Sequence, residues 1–262
     1  MKLIESSVQI IEEKDPYKMI ELAGRTCYKS EDKITENSAK EFVDRMIKLG
    51  HGAMLEHGTI YLKIDKTGDG HIPPARLYWL DGDHKKYTRV RKHGNSIYVT
   101  TNLRVLVENN RLEDLQYQVE PTEYHEKRIT AKFICDRGVS HEFVRHRVFS
   151  FAQESQRYCN YSKGKYNSEI TIVKPHWWTK EDDINATLYL DVWRAAEHSY
   201  NTLIENGIKP QDARSVLPNA TKTELIMTGF ESDWEHFFEL RCSGAAHPDA
   251  KKLADELKKL IS

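Results

Sequence analysis

Hydrophobic residues return along this chain in two rhythms, and the switches between them mark out its elements. From Arg128 to Cys135 the apolar side chains Ile129, Ala131, Phe133 and Cys135 occupy every second position, which puts them on one face of a strand. Asp136, Arg137 and Gly138 then turn the chain, and Ser140 is placed to cap a helix carrying His141, Glu142 and Arg145. Helical spacing governs Ala39, Phe42, Val43, Met46 and Ile47, behind a capping box of Ser38 and Glu41 and ahead of Gly50. It returns from about Glu181 to Asn206, where Leu188, Val192, Ala195, Ala196, Ser199, Leu203 and Ile204 form a stripe closed by Gly207, which reads as scaffold. Trp234, Phe237 and Phe238 make an aromatic stripe behind a second box of Ser232 and Glu235 that opens a helix at Asp233, and Ala250, Leu253, Ala254, Leu257 and Ile261 make the tail helix.

Shorter segments fill the rest. Residues 2 to 11 predict an opening strand, and Asp15 with Pro16 starts a helix that ends at Gly24. Ile60, Leu62 and Ile64 alternate against Thr59, Tyr61 and Lys63 in a strand with one wet face. Between 66 and 125 the periods are hard to follow, although Ser96 to Thr101 is strand-like and Asn102 can cap a helix through Val107. Glu169 to Val173 reads as a strand ending before Pro175, and Pro210 opens a short helix over Gln211 to Val216. Trp177 and Trp178 read as core or lid aromatics. The sum is an α+β chain, a mainly antiparallel twisted sheet covered by long helices.

Composition narrows the function classes. In 262 residues, 39 Lys and Arg face 40 Asp and Glu, so no global field draws the chain to nucleic acid or an anionic membrane. The four cysteines, Cys27, Cys135, Cys159 and Cys242, form no CxxC pair, which argues against a zinc knuckle or redox dithiol and for reduced cytosolic thiols. With an acidic residue at position 5 and no long apolar run, the expectation is a cytoplasmic protein with no membrane partner. The basic cluster Lys85, Lys86, Arg89, Arg91 and Lys92 is either a solvated surface or a contact for nucleic acid or a polyanionic tail.

Candidate chemistry concentrates between Arg145 and Tyr158, in the run RHRVFSFAQESQRY. Arg145, His146 and Arg147 are followed by Ser155, Gln156 and Arg157, a donor-rich set that suits phosphate or carboxylate oxygens; the plain alternative is a solvated basic turn. His141, Glu142 and His146 invite a zinc reading, but histidines five apart on a helix diverge by about 140°, and no further ligand stands at a suitable spacing. Arg241 falls at offset 7 of the Trp234 stripe, where an unpaired guanidinium would be costly, so it must snorkel, pair with a carboxylate or meet a ligand.

The spacing of Arg145-His146-Arg147, seven residues, then Ser155 resembles the defining motif of the flavin-dependent thymidylate synthases. Further matches run from about Arg25 past Arg241, so the resemblance covers most of the chain. It implies one catalytic domain over residues 1 to 262 with an insertion at about 66 to 125. It also implies FAD, NADPH and methylenetetrahydrofolate as cofactors or co-substrate, dUMP as substrate, and a homotetramer with shared active sites. The implied reaction is reductive methylation of dUMP to dTMP, which needs no protein nucleophile.

By the same resemblance, Arg241 binds and activates the uracil. Cys27, His51, Arg145, His146, Arg147, Gln153 and His236 lie toward the flavin, and Glu142, Arg145, Gln153, Ser155, Gln156, Arg157 and Arg214 lie toward the nucleotide. Some of these have a plainer alternative: Cys27 can belong to a helix-ending loop and Arg214 to a surface ion pair, while Glu56 and His57, beside His51, are read as holding a turn together. The chain departs from the family pattern at Phe151, Ala152 and Gln153, the last replacing a frequent glutamate, and at Phe230 and Ser232, which replace a frequent Asn and Arg. The competing reading is a non-catalytic nucleotide- or RNA-binding protein built on the same arginines.

Overall fold

The computed structural model describes residues 1–67, 72–81, 87–166, 168–178 and 184–261. In chain order its elements are β1 (Lys2–Ile4), β2 (Ser7–Ile10), α1 (Pro16–Tyr28), α2 (Ser38–Lys48), α3 (Gly52–Leu55), β3 (Thr59–Asp65) and α4 (Pro74–Asp81). β4 (Arg89–His93), β5 (Ser96–Asn102), α5 (Leu103–Glu108), β6 (Arg128–Asp136), α6 (Arg137–Phe143), β7 (Ser150–Gln153) and β8 (Thr171–Val173) follow. α7 (Ile184–Glu205), α8 (Pro210–Ala213), β9 (Lys222–Phe230), α9 (Glu231–Arg241) and α10 (Pro248–Ile261) complete the chain. The fold is α+β and mainly antiparallel, as the pattern predicts, but its strands are divided among three sheets. β2-β6-β9-β7 and β3-β5-β4 are antiparallel, and β1-β8 is a parallel pair. The expected opening strand therefore splits, β1 joining β8 and β2 joining β6.

The four-stranded sheet carries the main core on one face. Ala131, Phe133 and Cys135 of β6 with Leu225 and Met227 of β9 are sealed beneath Phe143 of α6, Trp234, Phe237 and Phe238 of α9, and Leu253 and Leu257 of α10. Alternation sends Ile226 and Ala152 to the opposite face, against Met19 and Ala23 of α1. The three-stranded sheet has its own apolar cluster, in which Ile60, Leu62, Ile64, Ile97 and Val99 pack with Trp79 and Leu106. Asn102 caps α5 as expected, its side chain accepting from the Val105 N–H at 3.2 Å.

Local signals misled at several ends. α1 runs through Gly24 to Tyr28, because a Cβ at Gly24 would lie 2.4 Å from Phe42 Cζ; this glycine is there for close packing, and Lys29, at φ 50°, ends the helix. The Ser38–Glu41 capping box is not formed, since the Ser38 hydroxyl is turned to the Glu21 carboxylate at 2.8 Å. Asp136, not Ser140, caps α6, accepting from the Val139 N–H at 2.7 Å, and the helix ends at Phe143, leaving Arg145 and His146 on the following turn. α9 begins at Glu231 rather than Asp233: the Asp233 carboxylate accepts from the Phe230 N–H at 3.3 Å, and Ser232 bonds Glu126 instead of capping.

α7 departs most from expectation. Its buried side chains are Ala186, Trp193 and Tyr200, whereas Leu188 and Val192 of the predicted stripe are 61% and 62% exposed. The expected start at Glu181 lies outside the described residues, as do Lys85 and Lys86 of the basic cluster. Within that cluster Arg89 pairs with Glu126 and Asp233, each at 3.4 Å, and Arg91 lies over the Tyr124 ring. No helix among the described residues is long and apolar enough to cross a membrane.

Candidate functional site

The hand-over from β6 to α6 delivers Glu142, and the turn behind it buries His146 between the edges of Phe237 and Phe149. α9, pinned by its aromatic stripe in the core, ends at Arg241 directly opposite. The guanidinium finds the partner its position demands. Arg241 Nε donates to His146 Nε2 at 2.9 Å, Nη1 to Glu142 Oε2 at 2.5 Å, and Nη2 to the Glu142 carbonyl at 2.7 Å. Three of its five N–H groups are thus engaged, leaving two to address a ligand.

This contact fixes the protonation of His146. A guanidinium only donates, so His146 Nε2 must offer a lone pair and the ring proton must sit on Nδ1. Burial, with the Arg241 and His236 charges beside it, pushes the imidazole down to about 4 and keeps it neutral at physiological pH. His146 therefore cannot act as a second cation here. Its Nε2, spent on Arg241, also faces away from the zinc role that the sequence invited and the spacing argued against. Among the described residues no three His, Cys, Asp or Glu side chains gather as a metal site would.

The remaining predicted residues fall in neighbouring patches. The Ser155 N–H donates to the Cys27 carbonyl at 2.9 Å, the Tyr28 and Tyr158 rings meet at 5.1 Å, and Arg157 lies over Tyr158, so Cys27, Ser155 and Arg157 share one corner. Burial raises the Cys27 thiol to about 11, so it stays protonated; it touches Met54 Sδ at 3.9 Å. Arg214 lies within electrostatic reach of Arg137 at the start of α6, and His51 is exposed at the corner between α2 and α3. His236 is exposed and contacts Glu239 at 3.3 Å. The single chain does not draw all the predicted residues into one pocket.

Gln153 turns into the protein, its amide donating to Ser140 Oγ at 2.8 Å and Thr223 Oγ1 at 3.3 Å. The next residue does not restore the missing charge on that side: Glu154 is buried on the other face, with Lys222 at 2.7 Å and the Tyr166 hydroxyl at 3.3 Å. Phe230, where the family pattern is broken, is packed between the guanidiniums of Arg89 and Arg128. His57 stands in the turn the sequence assigned it to, its N–H bonded to the Met54 carbonyl at 3.2 Å, but its ring is wholly buried, bonded to Thr228 Oγ1 at 2.8 Å and pushed down to about 3 by burial and Arg128. Sequence reasoning passed over Lys222 and Glu224; charge repeated at alternate positions of an otherwise apolar strand was the available signal.

The donor set suits phosphate-bearing groups. Arg145, Arg147, Arg157 and Arg214 are exposed, and none makes a side-chain hydrogen bond or ion pair among the described residues. The Gln156 side chain, beside Ser155, lies against the buried Tyr161 hydroxyl. Exposed guanidiniums can bind anionic oxygens, and the clamped Arg241 with its two free N–H groups can stabilise negative charge on a ring placed against it.

Comparison with known proteins gives consistent matches. Residues 9–68 and 120–262 match the family Thy1, described as thymidylate synthase complementing protein. A flavin-dependent thymidylate synthase of Geobacter sulfurreducens is 23% identical over 258 residues, covering 94% of this chain and 78% of that relative. One of Pyrococcus furiosus is 33% identical over 120 residues, covering 46% and 48%. Among solved structures, a UMP/dUMP methylase, PolB of Streptomyces cacaoi, aligns with 100% of this chain and 92% of its own, at TM-score 0.46 and 16% identity.

Proposed function

The chain belongs to the thymidylate synthase complementing protein family, and from that premise we propose that it catalyses the reductive methylation of dUMP to dTMP. One observation carries the reading. Arg241 is held rigid by Glu142 and His146 with two N–H groups to spare, and the same chain exposes Arg145, Arg147, Arg157 and Arg214, which no carboxylate among the described residues neutralises. When bound, FAD would supply reducing equivalents drawn from NADPH and pass on the one-carbon unit of methylenetetrahydrofolate.

This chain's residues supply electrostatics and position. Arg241 directs its free donors at the uracil and stabilises negative charge developing on the ring; because its geometry is set beforehand, little reorganisation opposes the reaction. Neutral His146 accepts from Arg241 and leaves the guanidinium as the sole cation of that contact. Arg145 and Arg147, with Cys27, His51 and His236 nearer the flavin ring, line the cofactor side, and Gln156 lies toward the nucleotide. Ser155, Arg157 and Arg214 clamp the nucleotide phosphate.

Residues from several patches must meet around one ligand, which calls for more than one copy of the chain. The apolar stripe of Ile184, Leu188 and Val192 exposed along α7 supports self-association, which we assign as a homotetramer. The family match lapses between 68 and 120, which supports reading the region at about 66 to 125 as an insertion into one catalytic domain.

The test is spectroscopic and chemical. The protein supplied with FAD turns yellow, NADPH bleaches it, and dTMP appears when dUMP and methylenetetrahydrofolate are added. A protein that stays colourless and forms no dTMP, yet binds RNA with steep salt dependence, overturns the reading in favour of a binding protein.

A further inference from the structure

Behind the Ser155–Arg157 segment lies a compact array of charges that touches none of the predicted ligand-binding side chains. The Glu224 carboxylate receives Lys222 at 2.5 Å, Lys132 at 2.6 Å and Lys29, while Lys222 also reaches Glu154 at 2.7 Å. Glu154 is 1% and Glu224 8% exposed, and the three lysines are between 14% and 19% exposed. Burial alone would push the Glu224 carboxyl up, yet the surrounding lysines bring it well below the usual carboxylate range.

Buried ion pairs seldom add net stability, because desolvation cancels most of the attraction; what they fix is geometry. The geometry here has a clear object. Lys29 is the last residue turned by α1, held at φ 50° and ψ 49°, and its ammonium ties that helix end to β9 through Glu224. Its two predecessors meet the segment that carries the nucleotide clamp. Cys27 accepts the Ser155 N–H at 2.9 Å, and the Tyr28 ring packs on Tyr158 at 5.1 Å. β9 closes the loop from the other side, the Glu224 carbonyl accepting the Glu154 N–H at 2.9 Å. One carboxylate therefore joins three elements, α1, β6 and β9, around the backbone from Glu154 to Tyr158.

We propose that Glu224, paired with Lys29, is a positioning residue for the nucleotide clamp: it touches no substrate but sets where Ser155 and Arg157 stand by holding the end of α1 against them. The inference rests on the assignment of Ser155 and Arg157 to dUMP made above. A displaced clamp weakens nucleotide binding while leaving in place the Arg241 contacts, none of which involves Lys29 or Glu224, so the expected signature is a rise in KM without an equal fall in kcat.

Because Glu224→Gln takes the carboxylate from Lys132 and weakens the pairing of Lys29 and Lys222, and can unfold the protein, the test is made at Lys29. Lys29→Gly relieves the left-handed backbone while deleting the ammonium; Lys29→Arg keeps a cation in reach of Glu224. In the flavin-loaded full chain, Lys29→Gly should raise KM for dUMP roughly tenfold with kcat within about twofold, and Lys29→Arg should recover most of the difference. Equilibrium binding of dUMP without folate or NADPH should weaken in parallel. Unchanged KM and dUMP affinity in Lys29→Gly, or equal losses in the Gly and Arg variants, overturns the positioning role while the function stands. A wild-type protein that neither binds dUMP nor makes dTMP overturns both.

Discussion

Replacing Arg241 by Met removes charge and three hydrogen bonds while keeping most of the side chain's length, so its consequences can be separated. On the structural side, Glu142 is 30% exposed and rehydrates, while His146 Nε2 is left buried without its donor. An unsatisfied buried acceptor costs about 1–2 kcal/mol, and at roughly 2–4 °C per kcal/mol for a chain of this size the melting temperature should fall by roughly 2–8 °C. The His146 imidazole, now at about 4, is depressed first by burial and then by Arg241 and His236. Removing the arginine should raise it, yet leave it below the ordinary histidine value because burial persists. On the functional side, loss of a preorganised donor should lower kcat for dTMP formation by about 10²–10³, with the yellow flavin spectrum retained. NMR titration of His146 reads the contact directly. An unmoved imidazole refutes the geometry, and undiminished turnover refutes the catalytic role.

Gly24→Ala should destabilise despite the better helix former, because its methyl would lie 2.4 Å from Phe42 Cζ; overpacking of about 1–3 kcal/mol should show in urea melts and be relieved by a second change, Phe42→Leu. His57 and His146 have folded values of about 3 and about 4, below the ordinary 6.5. The unfolded chain therefore binds protons first as pH falls. Stability is full above pH 6.5 and declines on acidification, by about 2 kcal/mol per histidine between pH 7 and 5; a flat profile of urea midpoints over that range would contradict both burials. Leu188→Glu with Val192→Glu alters side chains 61% and 62% exposed, so monomer stability should change by no more than about 0.5 kcal/mol while the assembly falls to smaller species in analytical ultracentrifugation. An unaltered sedimentation pattern would show that the α7 stripe is not the subunit contact.

Elements defined by local rhythm were readable in the sequence. The alternation over β6, the aromatic stripe of α9, the tail helix and the Asn102 cap all appear where side-chain period and capping chemistry put them. Pairing was not readable, because Arg128 meets Phe230 across about a hundred residues and nothing local encodes that register. Ends were misjudged where a residue had a stronger distant partner than a local one, as when Ser38 chose Glu21 and Ser232 chose Glu126. The α7 stripe exposes a deeper ambiguity. Leu188 and Val192 recur at the same period that buries Leu253 and Leu257, and a helical period cannot say whether the covering surface is the same chain or another.

Charge was the least legible feature, since a lysine or glutamate in sequence looks equally suited to water or to burial. Arg241 could be singled out because an aromatic stripe surrounds it and an unpaired guanidinium there would be expensive to desolvate. Its partner could not, because Glu142 lies on another helix 99 positions away. Glu224 was hard to single out for the opposite reason. It stands with Lys222 in a strand whose other face is apolar, a pattern shared by any half-exposed strand. Only the third layer, α1 laid over that polar face with Lys29 reaching down, turns the exposed side of a strand into the interior of the protein. The chemistry of this chain thus depends on contacts between segments whose local sequences give no reason to meet. Residues that hold a site in place are for that reason harder to find from sequence than residues that form it.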